Sequence, residues 1–143
     1  MRKRTKAREC AIQILYQVDI TKSGYNECQK DFWRTKKDKL IDDSIVEFAN
    51  MLVKGTSENL EKIDGIIGNY ATNWDISRMA VVDRNILRLS TYELIFLDDI
   101  PPKVSINEAV DIAKKYGDKD SGKFVNGILD KINKVEAQDA KKG

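Results

Sequence analysis

Residues 100–132 read IPPKVSINEAVDIAKKYGDKDSGKFVNGILDKI, and this stretch decides the fold. Pro101 and Pro102 are the only prolines in the chain. They remove two amide donors and disfavour helix at the residue before them, so they end whatever precedes. Ser105-Ile-Asn-Glu108 has the form of a capping box, a serine oxygen taking an orphan amide while the glutamate reaches back. Ala109, Val110, Ala113 and Tyr116 follow at helical spacing, and Gly117 suits the position just past a helix end. Phe124, Val125, Ile128, Leu129, Ile132 and Val135 then form the cleanest apolar stripe in the chain. Gly127 inside that stripe costs about 1 kcal/mol relative to alanine, which points to a close helix crossing that excludes a Cβ. Two amphipathic helices joined by a short turn are the result.

The same periodicity runs outward towards the N-terminus. From Met79 to Leu97 the apolar residues cover more than one stripe, which predicts a central helix contacted on several sides, with Ser77 as its cap. The pattern breaks near Trp74, a hinge between two halves. Leu60, Ile63, Ile67 and Tyr70 mark a helix capped by Thr56 or Ser57. Ile45, Phe48, Ala49, Leu52 and Val53 mark another, capped by Asp42 or Asp43 and ended by Gly55. Ala7, Ala11, Ile14, Leu15 and Val18 share one face of a first helix, ended by Gly24. Residues 25–40 fit a short helix or an ordered loop equally well. The expected fold is all-α, about seven helices in two small packed bundles, residues 1–72 and 73–143. The polar tail from Glu136 to Gly143 is expected to fray.

Composition narrows the function. A chain of 143 residues buries roughly two thirds of its unfolded surface and needs no staples. It contains no histidine, which removes Ser-His-Asp and Cys-His catalysis, histidine-ligated metals and a histidine general base together. Cys10 and Cys28 suggest no disulfide framework and too few thiols for a four-cysteine zinc site, so a reducing cytoplasmic location is the default. No apolar run reaches the roughly 18 residues of a membrane span, and the N-terminus is too interrupted for a signal peptide. Gly117–Lys123 satisfies GxxxxGK, but Phe124 stands where a magnesium-binding hydroxyl is needed, and a helix, not a strand, precedes it. Asp118 and Asp120 would also repel a triphosphate. No carboxylate pair stands out as an acid and base. Asp98-Asp99 reads as solvated turn, and Asp83-Arg84 as a surface ion pair or an interaction surface. Neither a cofactor nor a metal is expected.

The charge distribution points elsewhere. Net charge is +2, yet Arg2, Lys3, Arg4, Lys6 and Arg8 place five cations in the first eight residues. The remainder carries 20 basic and 23 acidic side chains, a net of −3. A concentrated basic arm on a mildly acidic body is an electrostatic footprint for a polyanion, or else a solvated terminus. The arm runs into a helix bearing Gln13 and Tyr16. A glutamine reads a base edge and a tyrosine stacks on an unpaired base; the alternative for Tyr16 is an aromatic at the edge of the core.

ARECAIQILYQ at 7–17, VVDRNILRLSTYEL at 81–94 and the 100–132 stretch together resemble the NusB family of bacterial transcription antitermination factors. The resemblance covers essentially the whole chain in the family's order, apart from residues 21–42. It implies an all-helical fold of two small bundles. It also implies pairing with NusE, a small-subunit ribosomal protein, and binding to single-stranded boxA RNA of nascent ribosomal transcripts. Other Nus factors and RNA polymerase complete the assembly, and no membrane is involved. Carried over by position, Arg2, Lys3, Arg4, Lys6 and Arg8 are expected to face RNA, with Gln13 and Tyr16 nearby and Arg88 a weaker candidate. Lys123 and Phe124 are expected at the RNA and NusE surface, with Asp83 and Asp120 beside it. Lys6 keeps charge but lacks the planar fork for bidentate phosphate contacts. Gly122 is expected to loosen its turn. The competing function is a helical protein–protein adaptor without direct RNA contact. An enzyme domain is the third reading, since NusB-like domains occur fused to RNA methyltransferases; 143 residues leave no room for that fold.

Overall fold

The computed structural model describes residues 2–36 and 38–137, so the expected fraying falls mostly outside the described residues. All regular structure among them is helical. Among the described residues there are seven α-helices, and the chain divides into two compact units, Met1–Glu58 and Asn59–Gly143.

The first unit holds α1 (Lys3–Thr21), α2 (Tyr25–Thr35) and α3 (Asp43–Glu58). Helix α1 buries Ala7, Ala11, Ile14 and Leu15 against Ile45, Ala49, Leu52 and Val53 of α3. It ends at Lys22, which takes the left-handed conformation at φ 60° and returns its amide to the Val18 carbonyl. Gly24, expected to end α1, instead precedes α2. The segment left open between helix and loop is helix α2. Its Trp33 indole donates to Asn50 Oδ1 at 2.8 Å and its Gln29 amide to the Asn50 carbonyl at 3.2 Å, which docks it on α3. Asp42 caps α3, accepting from the Ile45 amide at 3.1 Å. Helix α3 runs through Gly55, Thr56 and Ser57 rather than ending there, and α4 begins at Leu60. One glycine costs about 1 kcal/mol in a helix, less than the buried contacts that hold this turn.

The second unit holds α4 (Leu60–Tyr70), a 3-10 turn at Ile76–Arg78, α5 (Val81–Phe96), α6 (Pro102–Tyr116), α7 (Ser121–Ile132) and a π turn at Asn133–Ala137. Helix α5 is central as expected, packed by α4, α6, α7 and the π turn. The division falls at 58/59 rather than at 72/73, because α4 packs on α5 and α7.

Three local expectations differ. Helix α6 starts at Pro102, not at Ser105, since proline at the first helical position lacks only an amide that would be orphaned anyway. Ser105 is therefore inside the helix, and its hydroxyl donates to Glu93 Oε1 at 2.9 Å in the core. Asp75, not Ser77, caps the turn before α5: its carboxylate accepts the Ser77 amide at 3.0 Å. Gly127 faces open space, with nothing within 4 Å of the point a Cβ would occupy, so no close crossing requires it. The glycine that is required is Gly117. A Cβ there would meet Ser121 and lie 2.8 Å from the Ala113 carbonyl.

Candidate nucleic-acid interface

The basic arm is not a loose tail. Lys3, Arg4, Lys6 and Arg8 all belong to α1. Cations in a first helical turn oppose the helix macrodipole, a local cost. The segment joining α2 to α3 offsets it. Lys3 Nζ lies 2.7 Å from Asp42 Oδ2, and Lys6 Nζ 3.1 Å from Asp38 Oδ2. The Lys3 ammonium is the main influence holding the Asp42 carboxyl far below the usual carboxylate range. The Leu40 amide, and then Lys6, lower Asp38. The Asp38 hydrogen bond in turn raises Lys6.

The arginines are held differently. The Arg4 guanidinium lies 4.5 Å from the centre of the Phe48 ring on α3, and that of Arg8 lies 5.6 Å from it. Arg2 and Arg4 are exposed. Arg8 departs from expectation: it is 2% exposed, buried between α1 and α3 rather than offered to solvent. A cleft of about 450 Å³ opens beside this cluster, lined by Lys3, Arg4, Ser44, Glu47, Phe48 and Met51. Further along α1, Gln13 is exposed and Tyr16 is 42% exposed. Their separation of three positions puts them on one face.

The other expected residues lie in the second unit. Lys123 and Asp120 are exposed at the start of α7. Phe124 is half-buried, edge-on to Trp74 with ring centres 5.5 Å apart. Trp74 itself is 53% exposed. Asp83, Asp118, Asp120, Ser121, Trp74 and Phe124 line a cleft of about 280 Å³. Asp83, read as part of a surface ion pair or an interaction surface, is not a surface ion pair: it is only 7% exposed, and its Oδ1 has no hydrogen-bond partner among the described residues. Burial pushes its carboxyl up, the Ser121 hydroxyl works against that, and the Asp118 charge adds to it. Gly122 is buried in the first turn of α7, where a Cβ would meet the Lys114 side chain. Arg88 is committed elsewhere, its guanidinium forked onto Asp64 at 2.8 and 2.9 Å.

Sequence reading does not find Phe48, Asp38 and Asp42 as partners of the arm. Phe48 falls in the expected apolar stripe but is only half-buried, and of the two cap candidates Asp42 and Asp43 it is Asp42 that caps. It gives Trp74 only a hinge. An aromatic or acid among lysines is too common a pattern to single these out.

Seven helices in two units among the described residues, one unit carrying a cationic helix start braced by carboxylates and an aromatic ring, define the class: a small all-α protein with a docked basic helix start. The sequence model of the NusB family matches residues 5–134. The transcription antitermination protein NusB of Thermodesulfovibrio yellowstonii is 46% identical over 142 residues, covering 94% of this chain and 93% of that one. A T. maritima NusB structure superposes with a TM-score of 0.86 at 39% identity, covering 98% of this chain and 97% of that one. A chain in a crystal structure of antitermination factors NusB and NusE with double-stranded RNA gives a TM-score of 0.81 at 37% identity, covering 94% and 98%. The chain belongs to the NusB family.

Among the described residues, no helix is long and apolar enough to cross a membrane. Cys10 and Cys28 are both buried.

Proposed function

We propose that this chain is a non-enzymatic, RNA-binding transcription antitermination factor that works as half of a heterodimer with a NusE-type ribosomal protein. The observation that carries this reading is the docked basic start of α1, where Arg2 at the N-cap and Arg4 in the first turn stay exposed. Cations there neutralise phosphates and release condensed counterions, which supplies affinity without sequence information. Gln13 and Tyr16 are exposed further along α1, a hydrogen-bonding amide and a stacking ring for unpaired bases. The second cleft offers two aromatic rings, carboxylates and Lys123 nearby, a surface suited to NusE with RNA beside it. The solved NusB–NusE–RNA complex of a 37%-identical relative supports the same pairing.

The target is single-stranded, boxA-like RNA of nascent ribosomal transcripts. Assembly with RNA polymerase and further Nus factors then suppresses termination in the cytoplasm. Outside the arm the chain is net negative, so phosphate contacts are few and the free protein binds weakly. NusE adds contacts to the same strand. The test is binding of a labelled boxA-like RNA and a scrambled one, with and without NusE. Tight binding of the boxA-like RNA only with NusE is expected. Equal affinity with and without NusE would overturn the heterodimer, and no RNA binding in either state would leave a protein–protein adaptor.

A further inference from the structure

We infer that Phe48 is a positioning residue for RNA binding, holding Arg4 ready for phosphate without using any of its hydrogen-bond donors. The inference rests on the RNA-binding reading above.

Arg4 and Arg8 are one turn apart on α1 and therefore share a face, and Phe48 of α3 lies opposite both. The two guanidiniums sit 4.5 and 5.6 Å from the ring centre, within the range of a cation–π contact. The two arginines differ in exposure. Arg8 is buried and fixes the ring from within, while Arg4 is exposed at the rim of the cleft. Phe48 is only half-buried, so one part of the ring belongs to the packing and the rest to Arg4.

The bracing chemistry matters for what remains available. Lys3 and Lys6 are braced by carboxylates, which consume the charge that a phosphate needs. An aromatic ring attracts the guanidinium through its quadrupole and carries no net charge. It can lie against a guanidinium and leave in-plane N–H groups directed outwards, the fork that matches two phosphate oxygens. A long side chain already ordered loses less freedom when it binds. Arg4 is thus pre-ordered and still fully charged.

The test is a double-mutant cycle read by binding of labelled boxA-like RNA to the full chain with saturating NusE. Phe48→Leu is expected to weaken binding by about threefold to fivefold, the worth of an exposed cation–π contact. The salt dependence should not change, because no charge is removed. Phe48→Tyr should restore wild-type affinity, and Phe48→Leu should have no further effect in an Arg4→Ala background. Thermal unfolding of each variant is recorded, and Phe48→Met replaces the leucine variant if the latter fails to fold. Wild-type affinity in Phe48→Leu would overturn the inference alone, as would an equal loss with and without Arg4. Wild-type affinity in Arg4→Ala would overturn both this inference and phosphate contact by Arg4.

Discussion

Two carboxylates mask part of the charge that the arm presents, and unmasking them should strengthen RNA binding. The perturbation is Asp38→Asn together with Asp42→Asn. Each acid uses its two oxygens for different tasks. Asp42 Oδ1 caps α3 through the Ile45 amide and accepts from Ser44, while Oδ2 faces Lys3. Asp38 Oδ1 accepts from the Leu40 amide at 2.9 Å, while Oδ2 faces Lys6. Asparagine keeps the Oδ1 acceptor and caps a helix as well as aspartate does. Its amide nitrogen cannot pair an ammonium, so Lys3 and Lys6 become available to phosphate. Each new phosphate contact on a single strand adds about 0.7 to the slope of log K against log salt, so two add about 1.4. Over a fourfold rise in salt, the double variant should therefore lose roughly sevenfold more affinity than the wild type. Fluorescence anisotropy across a salt series reads both slope and affinity, with thermal unfolding as a control on the helix start. An unchanged or shallower slope, with the fold intact, would refute the claim that these acids mask the lysines.

Other consequences are equally open to measurement. Arg88→Ala should cost about 1–2 kcal/mol of stability, as a partly buried fork onto Asp64 is broken, and should leave RNA affinity within about twofold; an affinity loss without a stability loss would restore Arg88 to the RNA face. Gly127→Ala should stabilise the protein by up to about 1 kcal/mol, since the site is open and helical, whereas Gly117→Ala should cost about 1–3 kcal/mol by forcing a Cβ onto Ser121 and the Ala113 carbonyl. Denaturant midpoints decide both, and a destabilised Gly127→Ala would bring back the close-crossing explanation. Asp83 holds its proton more tightly in the folded protein than in the unfolded chain, so its contribution favours folding in acid and is lost as pH rises through its folded value. Asp83→Asn should accordingly raise the melting temperature at neutral pH, by an amount that shrinks towards about pH 4, where an ordinary carboxylate protonates. A gain that grows in acid would contradict that sign.

The helical class is readable because apolar residues recur at helical spacing from Ala7 to Ile132, and α5 is recognisably central because its apolar residues exceed one stripe. Boundaries are harder, for local reasons. The serine and glutamate at 105 and 108 imitate a capping box, but Pro102 is pre-set for the first helical position and starts α6 earlier. Gly55 resembles a stop, yet Leu52, Val53 and Thr56 are all buried and keep α3 wound past it. The division of the chain lies at 58/59 and not at 72/73 because periodicity reports a helix and not which neighbour it packs on. At the candidate interface the charge of the arm is plain and its bracing is not. Asp38, Asp42 and Phe48 stand far along the chain from the cations they meet, and no spacing rule joins them. Arg8 carries the same charge as Arg2 and Arg4, and only the packing of α1 on α3 shows that it faces inward. Arg88 and Asp64 form their fork across two helices, so that pair is invisible in the sequence too.

The exposed cations at the start of α1 are central to function only if they contact RNA phosphates. The most direct measurement is the salt dependence of boxA-like RNA binding, in the presence of NusE, for the wild type and for Arg2→Ala with Arg4→Ala. Two lost phosphate contacts on a single strand should flatten the slope by about 1.4, with similar affinity losses for matched and scrambled RNA. A slope identical to that of the wild type would contradict phosphate contact and leave the arm as a structural element of the first unit.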